Sequence, residues 1–219
     1  MNTAPRLELD HLVVAAASLD EGVSWCERLL GLSPTTGGQH VFMGTHNRVF
    51  SVSSSAFPRC YLEIIAIDPT LTAPAHARWF DLDDADMQQR LKRGPQLVHW
   101  VARCADIGAT RAAMVEAGVD CGEVMQAERG ALRWRITVRS DGRRMLAGAA
   151  PALIEWGDAH PTDNLPASGV HLDALSVAAP MLTGILPGGV LADALVPLTA
   201  VLTTANGSVT LTAGLLAGD

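Results

Sequence analysis

"LDHLVVAAASLDEGVSWCERLLG" (residues 9–31) decides the fold, because "LVHWVARCADIGATRAAMVEAGV" (97–119) repeats its plan. Both stretches open on Leu-x-His-x-Val, break on a few polar residues, continue in helical period and close on a glycine. From His11 to Gly31 is 20 residues; from His99 to Gly118 is 19. The Val and Leu clusters at each start favour a strand. Ser18 and Asp20 are N-cap candidates for the first helix, where Leu19, Val23, Cys26, Leu29 and Leu30 form an apolar stripe near i, i+4, i+7. Gly31 sits where a C-cap glycine belongs. In the second unit Asp106 caps, Ile107, Met114, Val115 and Ala117 lie inside, and Gly118 ends the helix.

After each helix the apolar period changes to two. "HVFMG", "NRVFSVSS" and "CYLEIIAID" follow the first, and "EVMQAER", "LRWRITVRS" and "PALIEWG" follow the second. Both halves therefore read βαβββ, over residues 7–68 and 97–160. Residues 69–96 join them, with Pro69 and Pro74 first, then a helix through "DDADMQQRLKR" that stops at Gly94-Pro95. A third, shortened copy over 168–219 begins at "HLDALSVAAP" (171–180), which lies over "LDHLVVAA" with Ala174 in place of the histidine. Its end, "AVLTTANGSVTLTAG", predicts a hairpin with a type I′ turn at Asn206-Gly207.

The composition is that of a globular chain. Its 219 residues are 48% hydrophobic and 18% charged, with a net charge of −7. That balance leaves no basic footprint for nucleic acid or an anionic membrane. No Lys or Arg follows Arg144, so the last third is apolar and weakly acidic, suited to a core layer or a homodimer contact. Cys26, Cys60, Cys104 and Cys121 form no C-x-x-C pair, and no basic-then-apolar leader opens the sequence. The expectation is reduced thiols in a cytoplasmic protein. The uncharged run from Ala174 to Ala192 has the length of a membrane span, but Pro180, Pro187, Gly184, Gly188 and Gly189 break it. Nucleotide-binding glycine loops, H-E-x-x-H and G-x-S-x-G are lacking.

Four polar residues recur with the repeat. His11 precedes Glu63 by 52 residues and His99 precedes Glu155 by 56. Each histidine lies in its unit's first strand and each glutamate in its last, in the apolar runs "YLEIIAID" and "ALIEWG". A carboxylate in an apolar strand is costly unless paired or bound to a cation. Two imidazoles and two carboxylates suit a borderline divalent metal, with coordination sites left for water or substrate. Structural ion pairs are the other reading of the same four residues.

This arrangement resembles the vicinal-oxygen-chelate superfamily of glyoxalase I, bleomycin-resistance proteins and extradiol dioxygenases, and within it the glyoxalase-like domain branch. The phrases that carry the resemblance are the 9–31 stretch, "GGQHVFMGTHNRVFSV", "YLEIIAIDP", "LRWRITV" and "PALIEWGDAHP". It covers about residues 7–180. The resemblance implies an α+β fold in which tandem βαβββ modules form a cupped mixed sheet, with the partial third module packed on the same domain. It implies a divalent metal (Zn, Ni, Mn or Fe) held by His11, Glu63, His99 and Glu155, with Glu63 or Glu155 shuttling a proton as the catalytic group.

Other residues are candidates for the wall of the cup. "GGQHVFMGTHNR" offers His40, His46 and Asn47, of which only some can point inward. Trp100, Trp134 and Trp156 lie in or beside cup strands and either line a pocket or pack the core. Of Arg133 and Arg135, one is expected to face the cup and hold an anion, or both face solvent. Asp158 and His160 support the site or sit in a solvated turn. Three functions compete: a metal-dependent lyase or isomerase acting on a small oxygen-chelating substrate, a small-molecule sequestration protein of the same fold, and an extradiol-type dioxygenase.

Overall fold

The computed structural model describes residues 7–213. The first repeat comprises β1 (Glu8–Ala15), α1 (Leu19–Leu30), β2 (Thr36–His40), β3 (Thr45–Ser51) and β4 (Tyr61–Ile67). A short helix, α2 (Ala85–Leu91), stands in the connector. The second repeat comprises β5 (Gln96–Arg103), α3 (Ile107–Glu116), β6 (Glu123–Arg129), β7 (Leu132–Val138) and β8 (Ala152–Trp156). The chain is thus α+β, and both units are βαβββ. Their local signals act as read: Ser18 accepts a hydrogen bond from the Glu21 N–H, Asp106 from the Ala109 N–H, and Gly31 closes α1 at φ 73°.

All eight strands of the two repeats form one curved mixed sheet in the order β2-β3-β4-β1-β5-β8-β7-β6. The order is the same read outward from the centre in either direction. Within each repeat the first and last strands pair in parallel, β1 with β4 and β5 with β8. The repeats meet along an antiparallel seam between β1 and β5.

Alternation divides the side chains between two faces. On the outer face Leu12, Val14, Leu62, Ile64, Trp100 and Leu153 pack with residues of α1 and α3. On the inner face Val13, Ile65, Val101, Ile136 and Ile154 pack with Trp79, Phe80 and Leu82 of the connector and with Met87 and Leu91 of α2. The connector is therefore a cover over the concave side.

The last part of the chain forms a second, four-stranded sheet from β9 (His171–Val177), β10 (Val190–Leu191), β11 (Leu198–Thr204) and β12 (Gly207–Thr212), in the order β10-β9-β11-β12. Its Leu172, Leu175, Val177, Leu198, Ala200 and Leu202 join the outer-face core. Where the full repeats have a helix, this one has a 3-10 turn at Pro180–Leu182. That turn breaks the uncharged run, and no described helix is long and apolar enough to cross a membrane. The closing hairpin is offset by one residue from the expectation. Thr204 pairs with Gly207, so Ala205 and Asn206 form the turn, and only Gly207 takes a positive φ, 116°.

Candidate functional site

A bulge in β1 builds the centre of the site. Leu9 lies opposite Ala102 and His11 opposite Val101, so one residue of β5 faces two of β1 at Asp10. The extra residue breaks the alternation that would send Asp10 and His11 to opposite faces. The Asp10 carboxylate instead accepts the His11 Nδ1–H at 2.7 Å. It also accepts the Trp156 Nε1–H at 3.0 Å, the His160 Nε2–H at 3.0 Å and an Arg103 N–H at 3.2 Å. Burial alone would raise its pKa. The hydrogen bonds from His11 and His160 outweigh burial and hold the carboxyl well below the usual range. His11 is thereby oriented with Nε2 toward the concave side, its ring stacked on Tyr61 at 4.5 Å.

Nε2 of His11 lies 3.8 Å from the Glu63 carboxylate, and Nε2 of His40 lies 3.8 Å from its other oxygen. Asn47 donates to Glu63 at 2.6 Å and accepts from the Gly38 N–H at 2.9 Å and from Arg129 at 3.3 Å. These groups share a pocket of about 480 Å³ including its mouth, walled by Trp79, Phe80, Trp134, Ile136, Ile154 and Trp156. Glu63 is 5% exposed. Burial lowers His40 to about 4, against the pull of Glu63 in the other direction, so its imidazole is neutral at pH 7. Arg129 reaches the pocket from the far repeat, passing over Gly38, where a Cβ would lie 2.8 Å from the arginine's Cδ.

The expected four-residue cluster does not assemble. Glu63 and His11 meet, but Glu155 lies on the outer face. There it accepts the Ile107 N–H at the start of α3 at 2.9 Å and pairs with Arg135. The inner residues of β8 are Ala152, Ile154 and Trp156. The physical reason is register. His11 pairs with Tyr61, 50 residues on, whereas Val101 pairs with Ala152, 51 residues on. A one-residue difference turns the glutamate to the other face. Counted along the paired strands, Ala152 occupies the place of Glu63.

His99 is on the inner face, but its Nε2 accepts the Ala152 N–H at 3.0 Å and its ring borders a neighbouring pocket. Among the described residues no group of three or more His, Cys, Asp or Glu side chains is arranged to hold a metal ion. The donor set that the resemblance implies does not fit such an ion.

The remaining candidates divide in the same way. His40, Asn47 and Trp134 line the pocket. His46 points away and pairs with Asp68 at 3.4 Å. Trp100 is in the outer core, donating to the Ala149 carbonyl at 2.9 Å. Arg133 is exposed beside Glu128, and Arg135 holds Glu155, so neither faces the cup. His160 is 2% exposed and holds Asp10, which is not a solvated turn. Sequence reasoning missed Asp10, Tyr61, Arg129, Trp79 and Phe80. Asp10 carried a usable signal, an acid inside an apolar strand next to a histidine; Arg129 carried none, because only the curvature of the sheet brings its hairpin to β2.

The model of the glyoxalase-like domain family matches residues 9–184. A crystal structure of a hypothetical protein from Staphylococcus aureus superposes with a TM-score of 0.54 at 14% identity, covering 95% of this chain and 86% of that one. Methylmalonyl-CoA epimerase from Streptomyces coelicolor, in complex with 2-nitronate-propionyl-CoA, gives 0.44 at 18% identity over 72% of this chain and 99% of that one. The Mycobacterium tuberculosis methylmalonyl-CoA epimerase gives 0.41 at 18%, over 74% and 96%. At these identities the likeness is one of fold. No curated protein matches the sequence.

Proposed function

The chain belongs to the glyoxalase-like domain family, and from that premise we propose that it is a lyase or isomerase that moves a proton on a small oxygen-bearing substrate held against Glu63. The observation that carries this reading is the buried Glu63 carboxylate with two imidazole nitrogens at 3.8 Å and an amide donor at 2.6 Å. A carboxylate with few hydrogen bonds in an apolar pocket is a competent base for a proton beside a carbonyl. His11, oriented through Nδ1 by Asp10, offers Nε2 for exchange of the same proton with the substrate oxygen. Arg129 supplies positive charge where an oxyanion develops. Asn47 keeps the Glu63 oxygens in place, and the tryptophan walls exclude water.

The test is solvent exchange. Protein in deuterated water is incubated with small 2-hydroxy ketones, 2-oxo acids and 2-hydroxy acids, each with and without added Zn, Ni, Mn or Fe. Deuterium at the carbon beside the oxygen is read by mass spectrometry. Glu63→Gln should abolish incorporation while leaving the fold intact. Turnover that survives Glu63→Gln would remove the glutamate from the mechanism.

A second reading is sequestration without chemistry. It is favoured by the aromatic walls and by the existing Asn47–Glu63 bond, which already satisfies one carboxylate oxygen. Under that reading apolar ligands raise the melting temperature of both the parent and Glu63→Gln, and no deuterium enters any of them.

A further inference from the structure

The concave side holds a second pocket, beyond the wall formed by Trp79 and Phe80, which border both. At its floor is His99, 4% exposed. The Ala152 N–H donates to Nε2, so the proton of the neutral ring resides on Nδ1. That Nδ1–H has no hydrogen-bond partner. The Trp79 Nε1–H is likewise buried and unpartnered. A buried donor without an acceptor is costly, and native proteins keep few of them. Both atoms here are donors, so what would satisfy them is an acceptor.

Two further features surround His99. The Phe80 ring covers it at 4.9 Å. Phe80 and Asp81 have φ of 61° and 60°, a conformation disfavoured for residues with a Cβ. The strained pair is held by Arg144, whose Nε–H donates to Asp81 at 2.6 Å, and by the Gly142 carbonyl, which accepts the Asp81 N–H at 3.0 Å. Arg139, Arg143 and Arg144 also line the pocket, and of these Arg143 is exposed. Arg139 and Arg144 are paired with acids, whereas Arg143 forms no ion pair among the described residues.

We propose that this pocket is a second binding site, for a small oxyanion that enters past Arg143, displaces the Phe80 ring and accepts the His99 Nδ1–H. The site is separate from Glu63 and stands or falls independently of any chemistry there. The oxyanion is the carboxylate of an organic acid or a phosphate, which share the chemistry of accepting from N–H donors beside a guanidinium.

Nuclear magnetic resonance of the histidine ring nitrogens and protons tests it. The protein is titrated separately with sodium acetate and with sodium phosphate, with sodium chloride at matched ionic strength as control. The His99 Nδ1–H signal should move with one or both anions and not with chloride; the anion that binds more tightly identifies the source. Phe80→Ala, which removes the cover, should tighten binding by about tenfold or more. Arg143→Gln, a surface change, should weaken it about threefold, and His99→Phe, in which the Trp79 indole N–H signal is followed instead, should abolish it. If Phe80→Ala is unfolded by circular dichroism, Phe80→Leu makes the same comparison. An unmoved His99 signal, a Phe80 variant no tighter than the parent, or undiminished binding by His99→Phe each overturns the proposal.

Discussion

At the residue scale, Asp10 concentrates the most consequence in one side chain. Four donors from three parts of the chain end on its carboxylate, so Asp10→Ala leaves the His11 Nδ1–H, the His160 Nε2–H and the Trp156 Nε1–H without their acceptor, while Arg103 keeps Glu8 and the Arg59 carbonyl. A loss of about 3 kcal/mol in urea unfolding is expected. Asp10→Asn keeps the shape and restores part of that, but frees the His11 tautomer, which nitrogen chemical shifts will show. Glu155 makes the contrasting case. Glu155→Gln should cost about 1 kcal/mol through its bonds to Arg135 and the α3 start, lowering Tm by about 2–4 °C, with no effect on ligand binding at Glu63.

His99 and His40 set the response to acid. Burial lowers them to about 3 and about 4, while in the unfolded chain each titrates near 6.5. Below 6.5 the unfolded state binds protons that the folded state refuses, so stability falls as pH drops from 6.5 toward the folded values. Between pH 7 and pH 5 the loss is on the order of 2 kcal/mol for each. Urea midpoints at the two pH values measure it, and His99→Phe should remove its share. Asp10, held low, adds its own loss as pH falls through the ordinary carboxylate value near 3.8 and below, outside that window.

At the element scale, the parts legible in the sequence were those decided locally. The caps Ser18 and Asp106, the glycine after α1 and the period change from helix to strand depend on near neighbours, and both βαβββ units follow from them. What sequence spacing could not reveal was the facing of residues across strands. Glu63 and Glu155 look equivalent in the sequence, yet the pairing offset differs by one residue between repeats, and β alternation turns that into opposite faces. The bulge at Asp10 and the route of the connector across the cup were hidden for a similar reason, since both are set by distant strands. The β2 edge has a testable consequence. Gly38→Ala places a methyl against the flexible end of Arg129 and should move that arginine out of the pocket. Binding of anionic ligands should then fall as in Arg129→Gln, with folding stability changed by less than about 1 kcal/mol.

At the scale of the whole molecule, the eight-stranded sheet is nearly symmetric while its contents are not. One half of the cup carries Glu63, His11, His40 and Asn47; the other carries Ala152 in the glutamate's place, with His99 turned to its own pocket. One Glu63 site per chain is the expected stoichiometry, which calorimetry with an uncharged 2-hydroxy ketone, having no oxyanion for the His99 pocket, will read as one. The C-terminal sheet is part of the same outer core and meets β5 through β11 and β12, so a chain ending before residue 168 would bare the outer side of β5, where Trp100 and Ala102 lie. Such a chain should lose its near-ultraviolet circular dichroism. A truncated chain that keeps it would show that this sheet is dispensable.

The seam between β1 and β5 reaches further. It is an antiparallel join of equivalent strands, so each repeat presents to the other the same kind of edge that it would present to a copy of itself. Cut at the connector, the first repeat would carry an open, mostly apolar strand border, and a second first repeat could close it with the same geometry. The two fragments of a split chain are therefore rival partners: co-expressed, they reassemble the native pair, and expressed apart, each is driven toward self-pairing. The tether between residues 69 and 96 settles that competition by raising the local concentration of the correct neighbour.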